Sequence, residues 1–79
     1  MFYTYILKSD KNSRYYIGYT SNIQARLKLH NSKSVLATKN LCPWQLFHFD
    51  TFDTEKDAIT RERQIKSWKS RSMIEKLKF

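Results

Sequence analysis

The chain has 79 residues, with 15 Lys and Arg against seven Asp and Glu for a formal charge of +8, and its aromatic side chains comprise five Tyr, five Phe and two Trp. This length supports one hydrophobic core and excludes a second, while the charge points to a polyanionic partner, nucleic acid ahead of a membrane surface. No apolar run approaches the roughly 18 residues of a membrane span, the start lacks the basic region of a signal peptide, and Cys42, the lone cysteine, excludes an intramolecular disulfide and a Cys-rich zinc site.

One Gly and one Pro argue against linkers, so residues 1–79 are expected to form a single compact cytoplasmic domain. Residues 2–8 and 14–20 are aromatic and β-branched runs around the turn formers of 9–13, which predicts a hairpin. Closure between Lys8 and Ser13 would put Tyr5 opposite Tyr16 and Tyr3 opposite Gly18; a loop longer by one residue would put Tyr5 opposite Ile17. Ser21 with Gln24 forms a capping box for a helix over 22–32, on which Ile23, Leu27 and His30 recur at helical spacing. Residues 33–43 read as a connecting loop. Trp44 to Phe52 follows as a third strand, buried between a sheet edge and helices. Thr54 caps a second helix that runs to about Lys69 and carries Ala58, Ile59, Ile65 and Trp68. Ser70 caps a short last helix that holds Met73, Ile74 and Leu77 to the body. The order β-β-α-β-α-α predicts an α+β fold with a small three-stranded antiparallel sheet.

Some positions do not fit a purely structural pattern. Glu62 falls among Ala58, Ile59 and Ile65 on the face that should meet the core, where a carboxylate needs either a cation such as Arg61, Arg63 or Lys66, or a bound metal. Arg26 and His30 lie four apart on one side of their helix, either holding a phosphate together or packing as a snorkelling Arg beside a half-buried His. Gly18 stands inside a strand rather than a turn, which signals a bulge or a close approach by substrate. Tyr5 and Tyr16 share a face with Gly18, and a phenol becomes a base there only if neighbouring cations favour the phenolate. Tyr3, Tyr15 and Tyr19 read as ordinary strand formers, and Cys42 as a small buried apolar residue.

Taken together, Tyr3-Thr4-Tyr5-Ile6-Leu7, Tyr16-Ile17-Gly18-Tyr19-Thr20, Arg26, His30 and Glu62 resemble the GIY-YIG nuclease superfamily, in particular its small stand-alone bacterial members close to the nuclease domain of excision-repair endonucleases. The first motif carries Tyr3 and Thr4 in place of the family's Gly and Ile and keeps Tyr5; no asparagine follows Asn40, where some members carry a late one. The resemblance implies a metal-dependent DNA endonuclease of repair or recombination that hydrolyses phosphodiesters with Tyr5 as general base and Tyr16 orienting or deprotonating it, or with these two roles exchanged. Arg26 would stabilise phosphoryl charge, His30 would support the phosphate or a phenol, and Glu62 would hold Mg²⁺ or Mn²⁺. Gly18, Lys33, Lys39, Arg63 and Lys66 are the expected substrate contacts, with Arg61, Lys69 and Arg71 as further backbone-tracking cations. The expected assembly is a monomer or homodimer on DNA, branched or flap structures included, with a partner protein supplying target specificity. The competing readings are a non-catalytic nucleic-acid-binding module and an accessory domain of a larger DNA-processing complex. The RNA-recognition signature is not matched by Arg14-Tyr15-Tyr16-Ile17-Gly18-Tyr19.

Overall fold

The computed structural model describes residues 1–33, 35–36 and 38–77. Strands β1 (Phe2–Ser9), β2 (Tyr15–Thr20) and β3 (Trp44–Phe52) alternate with helices α1 (Ile23–Asn31), α2 (Glu55–Trp68) and α3 (Arg71–Glu75) in the order β-β-α-β-α-α. The fold is α+β, and its antiparallel sheet runs β2-β1-β3 with the first strand in the centre. No helix among the described residues is long and apolar enough to cross a membrane.

Side chains alternate across β1 with the two-residue period of a strand. Tyr5 and Leu7 pack with Trp44, Leu27, Leu41 and Cys42 on the α1 side. Ile6 packs with Ile65, Ile74, Ile17 and Trp68 on the side of α2 and α3. The Thr4 hydroxyl donates to the Ala58 carbonyl at 2.6 Å and ties α2 to the centre of the sheet.

The hairpin register differs from both expected alternatives, because Tyr5 pairs with Gly18 and Leu7 with Tyr16. The loop is longer than the pattern suggested: the Ser9 N–H donates to the Arg14 carbonyl at 2.8 Å, and Ser13 turns the chain at a left-handed φ of 62°. A two-residue shift from the first register preserves side-chain parity, so Tyr5, Tyr16 and Gly18 still share one face. On the other side of β1 the register shifts between Ile6 and Leu7, and Phe47 of β3 is the extra residue of this bulge. β3 is an edge strand with much of its surface exposed, Leu46 and Phe49 included, rather than the buried strand expected.

Helix α1 starts one residue later than the capping box implied. Asn22, not Ser21, is its N-cap, accepting from the Ala25 N–H at 3.1 Å. At the far end Asn31 closes a two-way hydrogen bond with the backbone of Trp44, fixing the helix against β3. Thr54 caps α2 as expected and Lys69 ends it in a left-handed conformation. Met73 of α3 is exposed while Ile74 is buried, so the short helix docks on fewer residues than expected. Between α1 and β3 lies a 3₁₀ turn, Lys39–Leu41.

Candidate active site

The only fully buried residue of α1 is a histidine. A buried imidazole needs partners for both ring nitrogens, and His30 has them. Its Nε2 lies 3.1 Å from the Tyr5 phenol oxygen and its Nδ1 lies 2.8 Å from the Thr38 hydroxyl. Tyr5, His30 and Thr38 are all at or below 2% exposure. The imidazole thus bonds a phenol and a threonine, and Arg26 stands at the surface one turn earlier.

Gly18 explains how the phenol reaches this place. A Cβ built at Gly18 would sit 2.6 Å from the Tyr5 hydroxyl oxygen and 2.8 Å from the ring carbon that bears it. The pairing of β1 with β2 runs without a bulge. The group that comes close to Gly18 is Tyr5, whose phenol fills the space a side chain there would take.

The ring of half-buried Tyr16 completes the cluster, 4.8 Å from the imidazole and 6.5 Å from the Tyr5 ring between centroids, with Trp44 at 6.3 Å behind it. The Arg26 guanidinium favours the charged form of the Tyr5 phenol, and the Glu62 carboxylate disfavours it through its charge. Tyr5, Tyr16 and His30 thus pack together, and Arg26 and Glu62, from α1 and α2, act on the same phenol through their charges.

Burial pushes the Tyr5 phenol above its ordinary range against the opposing pull of Arg26, with Tyr16 and Glu62 adding to the rise. The cations do not turn it into a phenolate, contrary to what the charge of the chain suggested. Burial, and then Arg26, lowers His30. The resting pair is a neutral phenol beside a neutral imidazole.

Glu62 lies on the flank of the buried Ala58–Ile65 stripe, with 16% of its side chain exposed. Of its possible partners Lys66 is the one it meets, at 3.4 Å across one helical turn. Arg61 instead binds Asp50 at 2.9 Å and lies over the Trp68 ring, and Arg63 is exposed. An i,i+4 pair with an exposed lysine is worth only about 0.5 kcal/mol. The carboxylate therefore keeps capacity for another cation. Among the described residues no group of three or more His, Cys, Asp or Glu is gathered for a metal. A lone carboxylate suits a hard, hydrated cation that takes its other ligands from water and phosphate oxygens, and does not suit a zinc cage.

Five of the expected phosphate-contacting cations divide between two places. Lys33 and Lys39 are exposed on the segment after α1. Lys66 lines a cleft of about 300 Å³ with Arg14, Lys69 and Arg71, floored by Ile17 and Ile74. A larger groove of about 590 Å³, beside Tyr3, Ile23 and Phe49, contains none of Tyr5, Tyr16, Arg26, His30 and Glu62.

Thr38 and Cys42 are the participants that sequence patterns did not reveal. Thr38 sits in an aperiodic loop eight residues from His30, where no spacing rule applies. Half-buried Cys42 donates from Sγ to the His30 carbonyl at 3.0 Å rather than serving only as apolar filling.

The family model described as the GIY-YIG catalytic domain matches residues 1–77. The chain is 39% identical to a UPF0213 protein of Haloquadratum walsbyi over 67 residues, which covers 84% of this chain and 74% of that relative. A UPF0213 protein of Staphylococcus haemolyticus is likewise 39% identical over 67 residues, 84% of this chain and 80% of the relative. The solution NMR structure of a UPF0213 protein from Bacillus halodurans superposes with a TM-score of 0.59 at 32% identity, covering 98% of this chain and 82% of that one. With the family match running from the first strand through the last helix, the chain belongs to the GIY-YIG family, a superfamily of nucleases.

Proposed function

We propose that the protein is a metal-dependent endonuclease that hydrolyses phosphodiester bonds in DNA, in repair or recombination. The observation that carries this is the buried hydrogen bond between the Tyr5 phenol and a neutral His30, under the charges of one guanidinium and one carboxylate with spare capacity. Tyr5 is the general base, working as a relay. A water proton passes to the phenol oxygen as the phenol's own proton passes to His30 Nε2, so no free phenolate has to persist in a site that disfavours it. Tyr16 holds the imidazole by ring contact and orients the phenol. Arg26 places its planar fork on the phosphoryl oxygens as charge accumulates on them.

Mg²⁺ or Mn²⁺ bound at Glu62 would supply Lewis-acid polarisation of the phosphate. The strand itself would follow the cations of the Lys66 cleft, Arg14, Lys69 and Arg71. Tyr15, which borders this cleft, has Lys8 and Arg71 over its ring at 5.8 and 5.4 Å, so it is not free to stack a base and the contact carries no sequence preference.

The test is cleavage of labelled duplex and branched DNA with Mg²⁺ or Mn²⁺. Glu62→Gln should lower the rate on the order of 10³-fold and EDTA should abolish it, while the melting temperature of Glu62→Gln stays close to wild type because only one ion pair, to an exposed lysine, is lost. Salt-dependent binding of these DNAs without cutting by the wild-type chain would replace this reading with that of a non-catalytic nucleic-acid-binding module.

A further inference from the structure

A hydrogen-bonded imidazole can be written in either tautomer, and only one of them lets His30 receive a proton from Tyr5. Counting donors and acceptors along the buried chain decides which. Tyr5 is 2% exposed, so its O–H needs a buried acceptor rather than water. The acceptor within reach is His30 Nε2, at 3.1 Å. At the other end the Thr38 hydroxyl has the Val35 carbonyl as an acceptor at 3.4 Å, so its oxygen is free to accept from His30 Nδ1–H at 2.8 Å. Every donor is then matched: Tyr5 to His30, His30 to Thr38, Thr38 to Val35. With the imidazole proton on Nε2 instead, the phenol would accept from it and its own buried proton would lose its partner.

Thr38 is held where it must be. Its carbonyl accepts from the Trp44 indole N–H at 3.0 Å and from the Leu41 N–H at 3.1 Å, while the Cys42 thiol fastens the same loop to the His30 carbonyl at 3.0 Å. The loop between α1 and β3 thus grips the imidazole from behind.

We propose that Thr38 is the positioning residue that holds His30 as the Nδ1–H tautomer, leaving Nε2 bare to take the Tyr5 proton. Its catalytic consequence rests on the nuclease reading above, but the tautomer does not. Thr38 never touches substrate; it acts through His30.

The experiment is long-range ¹H–¹⁵N NMR of the full chain at neutral pH with ¹⁵N-labelled histidine. The chain contains only His30 and His48, so a His48→Gln spectrum assigns the signals. Wild type should show a protonated Nδ1 and a bare Nε2 at His30. Thr38→Ser should retain that pattern, and Thr38→Val, nearly isosteric, should lose it as the proton shifts to Nε2. If the wild type or Thr38→Ser shows the Nε2–H form, or a folded Thr38→Val keeps the wild-type tautomer, the proposal is overturned, whether or not the protein cuts DNA. In cleavage, Thr38→Val should lower kcat on the order of 10²-fold with KM unchanged, and Thr38→Ser should restore it. A wild type with the expected tautomer but no cleavage would sink the nuclease reading and leave the tautomer standing; equal kcat for Thr38→Val and wild type would remove Thr38 from the relay.

Discussion

On one side of β1, Ile6 meets Ile65 and Ile74, aliphatic side chains with no polar atom to satisfy. On the other, Tyr5 meets His30, whose second nitrogen meets Thr38, so that burial is tolerated only because each polar atom finds its partner. These two environments are separated by a single step along one strand. The aliphatic face depends on volume and gives up stability in proportion to what is removed. The polar face depends on direction, and removing one group strands its neighbour.

The comparison is tested most severely at Ile6, which is fully buried and adjacent to Tyr5. Ile6→Ala should cost about 2–5 kcal/mol, and in a chain of 79 residues each kcal/mol lowers the melting temperature by about 4–8 °C. Its folded fraction should still cleave at the wild-type rate. Tyr5→Phe should do the reverse, with little or no cleavage and a smaller loss of about 1–3 kcal/mol from the unpaired His30 nitrogen. Thermal denaturation beside single-turnover cleavage separates the two, and a folded Ile6→Ala that is as inactive as Tyr5→Phe would show that the faces are not independent.

A smaller effect sharpens the same contrast at Gly18. Its φ is not positive, so alanine meets no backbone penalty. The cost of Gly18→Ala comes from the phenol, 2.6 Å from the new methyl, and displacing a packed ring costs about 1–3 kcal/mol. Cleavage should fall with it, and the stability effects of Gly18→Ala and Tyr5→Phe should be non-additive because both act on the same ring. Additive losses in a double-mutant cycle would mean that the phenol does not lie across Gly18.

What the sequence made legible follows from which forces are local. Strand and helix types, the Thr54 cap and the parity that puts Tyr5, Tyr16 and Gly18 on one face are written in periodicity, which survives a two-residue error in register. The register itself depends on Ser13 adopting a left-handed turn, a conformational choice that composition does not announce. Glu62 was visible as an acid where the stripe should be apolar, and its proximity to Tyr5 depends on how α2 crosses the sheet. The second partner of His30 was invisible, because Thr38 lies in a loop whose shape comes from hydrogen bonds to Trp44 and Leu41 rather than from any repeat. Gly18 announced a close approach without saying that the visitor was the chain's own tyrosine.

The smallest expected effects concern which outer surface carries the DNA backbone. Arg14 and Lys69 lie in the cleft behind the aliphatic face, and Lys33 and Lys39 lie on the segment after α1. Lys66 is a poor probe, since its loss also frees Glu62. Arg71 is another, since it is paired with Glu75 and stacked on Tyr15. Arg14→Ala and Lys69→Ala should each weaken binding several-fold and reduce the slope of log affinity against log salt by about one, without altering sequence preference. Fluorescence anisotropy in EDTA across a salt series measures this without cleavage. If Lys33→Ala and Lys39→Ala flatten the slope while Arg14→Ala and Lys69→Ala do not, the strand runs past α1. The aliphatic face would then contribute stability alone, and its cationic rim would be solvated charge.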